Sequence, residues 1–222
     1  MSFSYLQSNA AGGAPISVSY TNAINAGDLL ICAVNSAGGA ATPPTSTGET
    51  WVDSGLGSVN YNGGASSVAI FFVANCSAHA AGYVVTVNGN FSASIYEFSG
   101  QLTSGPKDTT NSNPNASSGA GSNNETANSI TPAQAGELFF AFFATINGPL
   151  SAGTTSVTWS SPTGDVNGLA EYFIASGSSA VTANCTTGFG SGDAYCGAFI
   201  SFKPAPASTS APAQGLPPFF MG

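Results

Sequence analysis

The stretch Ala26-Gly27-Asp28-Leu29-Leu30-Ile31 returns, 109 residues later, as Ala135-Gly136-Glu137-Leu138-Phe139-Phe140. Three further phrases return in the same order. Thr50-Trp51 is answered by Thr158-Trp159, AIFFVA (Ala69 to Ala74) by AEYFIA (Ala170 to Ala175), and IYEF (Ile95 to Phe98) by FISF (Phe199 to Phe202). An ordered echo at a nearly constant offset implies two copies of one supersecondary plan, so whatever the first half folds into, the second must repeat.

Each half consists of short segments rich in Val, Ile, Phe, Tyr and Thr, separated by Gly, Asn, Ser and Pro, which is strand grammar. Strands are expected near 16–20, 28–36, 49–54, 66–75, 82–88 and 92–99, and again near 126–131, 137–146, 154–160, 168–175, 179–186 and 194–203. In Tyr83 to Asn88 apolar residues alternate with others, as in a half-buried strand. No segment sustains a 3.6-residue stripe, so helices should be nearly absent. The expectation is an all-β antiparallel sandwich, jelly-roll-like, in which two related six-strand halves (about 1–100 and 126–203) form one domain over 1–203. The stretch 101–125, containing GPKDTTNSNPNASSGAGSNN, reads as a polar surface connection between them.

Beyond Lys203 the character changes. Pro204 to Gln214, PAPASTSAPAQ, is a Pro/Ala/Ser spacer that favours extended backbone. The arm 204–222 then ends in GLPPFFMG. Leu216, Pro217, Pro218, Phe219, Phe220 and Met221 are read as a partner-docking plug whose burial would contribute roughly 6–10 kcal/mol before ordering costs. The alternatives are that this segment folds back over its own sandwich or is a disordered tail.

Charge is scarce. Only 5% of residues are Asp, Glu, Lys or Arg, with two basic side chains against ten carboxylates and a formal net charge of -8. Such a chain cannot neutralise phosphates, which argues against nucleic acid and against anionic membranes. The longest apolar run, Leu138 to Ile146, is nine residues, strand length and too short for a helical span. The N-terminus MSFSYLQSNAAGG has neither the basic nor the apolar region of a secretory signal. Solubility must rest on hydroxyl and amide groups, which are cheaper to desolvate than ions; that suits a protein packed against neighbours or exposed outside a cell.

Residues for catalysis are few. His79, the single histidine, sits in a turn, NCSAHAAG, and is read as solvent-facing. Glu97 and Glu171 fall inside strands and could approach one another as a glycosidase pair, but edge-strand charges that discourage aggregation are the plainer reading. Cys185 and Cys196 flank TTGFGSGDAY, a hairpin-like loop, and are either a cross-strand disulfide or two half-buried thiols. GDVNG (Gly164 to Gly168) lacks the alternating acidic ligands of a calcium loop. The five Asn-x-Ser/Thr sequons are what so Asn- and Ser-rich a chain yields by chance. No zinc spacing and no phosphate-binding loop occur, so no cofactor, no metal and no enzymatic activity are expected.

The succession AGDLL…AV, a Trp strand, AIFFVAN, YVVTVNG…IYEFSG and ITPAQAGELFFAFF resembles a β-sandwich module of tailed-bacteriophage virion proteins and some bacterial surface proteins. The resemblance spans roughly residues 1–203 and implies structural or adhesive work without catalytic residues. Its first implication is a capsid decoration or head-associated subunit, made in the host cytoplasm and residing in the virion. Its partners would be the major capsid protein or sister subunits, and it would be a homo-oligomer. The alternative is a carbohydrate-binding or adhesive module in which exposed Trp51, Trp159 or Tyr61 stacks on sugar rings; core burial is the plainer reading of both tryptophans.

Overall fold

The computed structural model describes residues 2–88, 91–109, 115–120, 124–145, 150–153, 157–161, 168–187 and 194–206. The docking plug Leu216 to Met221 lies outside them, as do most of GDVNG and the loop between Cys185 and Cys196. Fifteen strands run in chain order: β1 (Ser4–Gly12), β2 (Ile16–Ser19), β3 (Leu29–Ala37), β4 (Val52–Asp53), β5 (Val59–Tyr61), β6 (Ser66–Val73), β7 (Val84–Val87), β8 (Ser92–Ser99), β9 (Asn115–Ala120), β10 (Asn124–Thr126), β11 (Leu138–Thr145), β12 (Leu150–Ala152), β13 (Gly168–Ile174), β14 (Asn184–Thr187) and β15 (Ala194–Phe202). Apart from one 3-10 turn, Asn62–Gly64, no helix occurs among the described residues.

The echo in the sequence is an echo in the topology. One large sheet has the order β1-β8-β3-β6-β4, with β5 also on β6; the other has β13-β11-β15-β9. Reversed, the second reads β9-β15-β11-β13, the same order as β1-β8-β3-β6 under a one-to-one match of strands. Each half also builds a small sheet, β2-β7 in the first and β10-β14-β12 in the second. All of these pairings are antiparallel.

The two large sheets face each other. Leu29, Ile31, Val68, Ile70, Phe72, Tyr96 and Phe98 of one half pack against Leu138, Phe140, Phe142, Ala198, Ile200 and Phe202 of the other in a single central core. Four aromatic contacts stitch them together: Tyr96–Phe140 at 5.0 Å, Phe72–Phe202 at 5.2 Å, Phe98–Tyr172 at 5.2 Å and Tyr5–Tyr172 at 5.5 Å. Each half adds a second core on its outer face. Leu30, Cys32, Phe71 and Ile95 pack under Ile16, Val18, Val85 and Val87, while Phe139, Ala141, Phe143 and Phe199 pack with Ile130, Val181, Ala183 and Cys185. The sandwich therefore has one sheet from each half at its centre and a smaller layer over each outer face. Strands buried on both sides need apolar residues on both sides, which is why LLICAV and LFFAFFA show no alternation.

The recurring AGD/AGE phrase has a backbone cause. Gly27 and Gly136 both take positive φ, 93° and 85°, a region that disfavours side chains. Their amides donate to the Cys76 and Ala175 carbonyls at 2.8 and 2.7 Å, and the Cys76 and Ala175 amides donate back to the Asp28 and Glu137 carbonyls. Each phrase is the tight entry into the central strand of its sheet.

Two sequence expectations need correction here. Strand β9 lies inside 101–125, so that stretch is not only a surface connection. AIFFVA and AEYFIA, aligned residue for residue, are one position out of register. Phe71 pairs with Cys32 and Glu171 with Ala141, so Phe71 and not Ile70 is the counterpart of Glu171. A one-residue slip exchanges the faces of a strand, and here it hides which carboxylate is buried where.

Candidate functional site

The aromatic residues proposed for sugar stacking are in the cores. Trp51 and Trp159 are 8% and 5% exposed, at matching places in the two outer cores. The Trp51 indole N–H donates to Ser46 Oγ at 2.9 Å. Tyr61 is 6% exposed, and its hydroxyl donates to Asn35 Oδ1 at 3.0 Å. None offers a ring face to a glycan. Planar aromatics fill the largest voids between sheets, and burial of that area outweighs display unless a groove holds them open.

The cysteines are also placed differently from the hairpin reading. Cys185 lies on β14 in the small outer sheet and Cys196 on β15 in the large one. Cys196 points into the central core and Cys185 into the outer core, and both are free thiols. Burial pushes both thiols well above the ordinary range, so neither is a ready nucleophile. His79 is not a free turn residue either. Its ring stacks on Tyr83 at 3.7 Å, and its Nε2 lies 2.7 Å from Glu49 Oε1, which also accepts the Ser77 amide.

The carboxylates are where sequence reasoning fell furthest short. Asp28, Glu97, Asp108, Glu125, Glu137 and Glu171 are all buried, six of the ten in the chain. Glu97 and Glu171 are therefore not edge guards, and they are not a catalytic pair. Glu97 points into the outer layer of the first half, where Asp28 and Tyr20 lie, and Glu171 into that of the second, beside Cys185. Both large sheets and the central core stand between them. Burial pushes Glu171 up to about 9, with the nearby Gly153 and Asn184 backbone lowering it only in part and neither carboxyl oxygen having a hydrogen-bond partner among the described residues, so it is a neutral acid at pH 7.

One polar node recurs in both halves, at the entry of the central strand and the exit of its neighbour. The register pairs Leu29 with Phe98 and Leu138 with Phe202, which makes Asp28 equivalent to Glu137 and Glu97 equivalent to Ser201. In the second half the node is closed. Glu137 Oε1 accepts the Ala133 and Gln134 amides at 2.9 and 3.1 Å, and Oε2 accepts the Ser201 hydroxyl at 2.8 Å. In the first half a second carboxylate stands where the hydroxyl would be. Asp28 and Glu97 come within hydrogen-bonding reach, while Asp28 Oδ2 and Glu97 Oε1 are buried without a donor. Burial first, and Asp28 beside it, push Glu97 up to about 7, against the lowering effect of Gln7.

Strand β1 delivers Gln7 to this node through a bulge. The register breaks between Tyr5 and Gln7, so Tyr5 lies opposite Phe98 and enters the central core, whereas Gln7 lies opposite Glu97 and faces outward. Gln7 Nε2 donates to Glu97 Oε2 and to the Asn22 carbonyl, and Gln7 Oε1 accepts the Asn22 amide at 2.8 Å. No motif marks this arrangement; only the register of the two neighbouring strands could have revealed it.

Among the described residues, no group of three or more His, Cys, Asp or Glu side chains is placed to hold a metal ion. A groove of about 400 Å³, lined by Leu102, Gln134, Ala135 and Lys203 to Pro206, lies where the C-terminal arm leaves the body. There the Ala205 amide donates to the Gly100 carbonyl at 2.7 Å, and the Leu102 amide to the Lys203 carbonyl at 2.9 Å. Comparison with known protein families, with curated proteins and with solved structures found no match to this chain.

Proposed function

We propose that this chain is a non-enzymatic structural subunit of a phage particle, a capsid decoration or head-associated protein that docks through its C-terminal arm and packs against further copies of itself. One observation carries the reading. Among the described residues no charged side chain is fully exposed: the carboxylates and lysines are either buried or half-buried, and the exterior is mostly hydroxyl, amide, glycine and alanine, with Leu6, Val52, Val84 and Phe91 as its exposed large apolar side chains. Such a surface loses little on desolvation, and copies of it do not repel one another, which favours dense symmetric packing. The stacked β-layers supply stiffness, and the arm root, pinned to Gly100 and Leu102, gives residues 207–222 a fixed point of departure.

The test is cosedimentation. The full chain should pellet with assembled particles, and deletion of Gly215–Gly222 should release it while leaving the fold intact by circular dichroism. Retention of the truncated chain on particles would remove the docking role. Failure of the full chain to associate with any particle would remove the virion reading.

A further inference from the structure

We propose that a proton shared between Asp28 and Glu97 is a latch that holds shut the seam between strand β1 and the Tyr20–Asp28 connection, so that this edge of the molecule loosens as the proton is lost. Where the second half satisfies its buried acid with Ser201, the first half sets a second acid in the same place, and both members keep an oxygen without a donor. Two buried carboxyl oxygens within reach of each other are compatible only when a proton lies between them; two ionised groups there would repel in a poorly solvated site.

The surroundings make the proton structural. The side chains and amides that act on Glu97 are Gln7 from β1, Asp28 from the start of β3 and the Asn25 amide from the connection. Tyr20 and Cys76 face the same node, and burial pushes the ionisation of both upward; Cys32 and Tyr83 lie beside Tyr20, and Glu49, paired with His79, lies beside Cys76, while no basic side chain is among the groups acting on Glu97. Loss of the proton leaves two adjacent anions whose relief requires water. Water's way in is through the cover made by Gln7 and Asn22, two groups joined to each other by a reciprocal pair of hydrogen bonds. Asn9 Nδ2, bonded to the Ser19 carbonyl at 2.9 Å, is the next fastening along the seam. Strand β1 is the element free to yield, because among the described residues it ends its sheet with β8 as its only strand neighbour there, whereas β8 is held from both sides.

The direction follows from the sign of the shift. Glu97 holds its proton more tightly in the folded chain, up to about 7, than a carboxyl of about 4.3 does in an unfolded one. The folded state therefore binds the extra proton between those values. Stability from this node is greatest in acid, is lost as pH rises towards about 7, and is flat beyond.

The experiment is hydrogen exchange of the full chain at pH 5.5 and 8, corrected for intrinsic rates, together with a carboxyl carbon NMR titration of Glu97. In a Glu171→Gln background, which removes the alkali sensitivity that Glu171 gives the whole fold, peptides covering β1 and residues 20–28 should lose at least tenfold in protection at the higher pH, and more than β11 and β15 do. Glu97 should titrate above 6. Glu97→Ser, which copies the second half's residue, should abolish the pH dependence of the seam. Asp28→Asn, which supplies an amide donor in place of the second acid, should do the same if the first variant does not fold. Equal protection of β1 at both pH values, a Glu97 titration in the ordinary carboxylate range, or variants that keep the wild-type pH response would each overturn the proposal.

Discussion

Replacing Phe140 with alanine should unfold both halves of the molecule together. Phe140 is fully buried in the central core, with its ring edge-to-face against Tyr96 of the other half at 5.0 Å and 69°. Truncating a buried Phe to Ala costs about 3–5 kcal/mol. The lost aromatic pair makes up about 0.5–1.5 kcal/mol of that. For a urea slope of about 2–3 kcal/mol per molar, the midpoint should fall by about 1–2.5 M. The two tryptophans allow the cost to be read in each half separately, because Trp51 belongs to the first outer core and Trp159 to the second. Urea titrations of Phe140→Ala in Trp51→Phe and Trp159→Phe backgrounds should give the same shift from either remaining indole. A midpoint change seen by Trp159 and absent from Trp51 would show that the halves do not share a core, and a total loss below about 1 kcal/mol would show that Phe140 is not packed as described.

Gly197 lies opposite Phe143, and a Cβ added there would sit 2.5 Å from Phe143 Cε1. Gly197→Ala should cost about 1–3 kcal/mol in thermal or urea melts, with partial recovery when Phe143 is shortened to Leu. Glu171 should make the fold alkali-sensitive. Its proton is held up to about 9 when folded and lost near 4.3 when unfolded, so stability falls with rising pH across that interval, by up to about tenfold in the folding constant per pH unit. Glu171→Gln should flatten that slope in melts taken from pH 5 to 9. The four buried cysteines should resist a water-soluble thiol reagent in the native state and react fully in denaturant, with no mass change on reduction; rapid native labelling or a two-hydrogen mass gain on reduction would contradict the placement.

What could be read in advance, and what could not, divides along burial. β3, β6, β8, β11, β13 and β15 announce themselves because strands covered on both faces must be apolar throughout. β1 and β9 do not, since SYLQSNAAG and NASSGA are the polar, small-residue sequences of strands at sheet ends. Their backbones are recruited by β8 and β15 and not by their own side chains. β5 and β12 are three residues each, below what periodicity can register. The polar node was invisible for another reason. Glu97 and Asp28 are far apart in sequence, and only strand register brings them onto one face. The echo that revealed the duplication was itself misaligned by one residue in its third phrase, which is enough to put Glu171 on the wrong face. The cysteines failed on topology: residues that look like the two arms of a hairpin belong to different layers.

The central structural claim is that the two halves meet face to face across one aromatic core. A nuclear Overhauser spectrum of protein in which tyrosine is the only residue with protonated rings tests it most directly, since the chain has seven tyrosines. A cross-peak between Tyr5 and Tyr172, stacked at 5.5 Å across the two large sheets, is predicted, with Tyr20–Tyr83 at 6.5 Å as the weaker contact within the first half. Observation of Tyr20–Tyr83 alone would mean that the sheets do not pack as described, and the shared core would have to be abandoned.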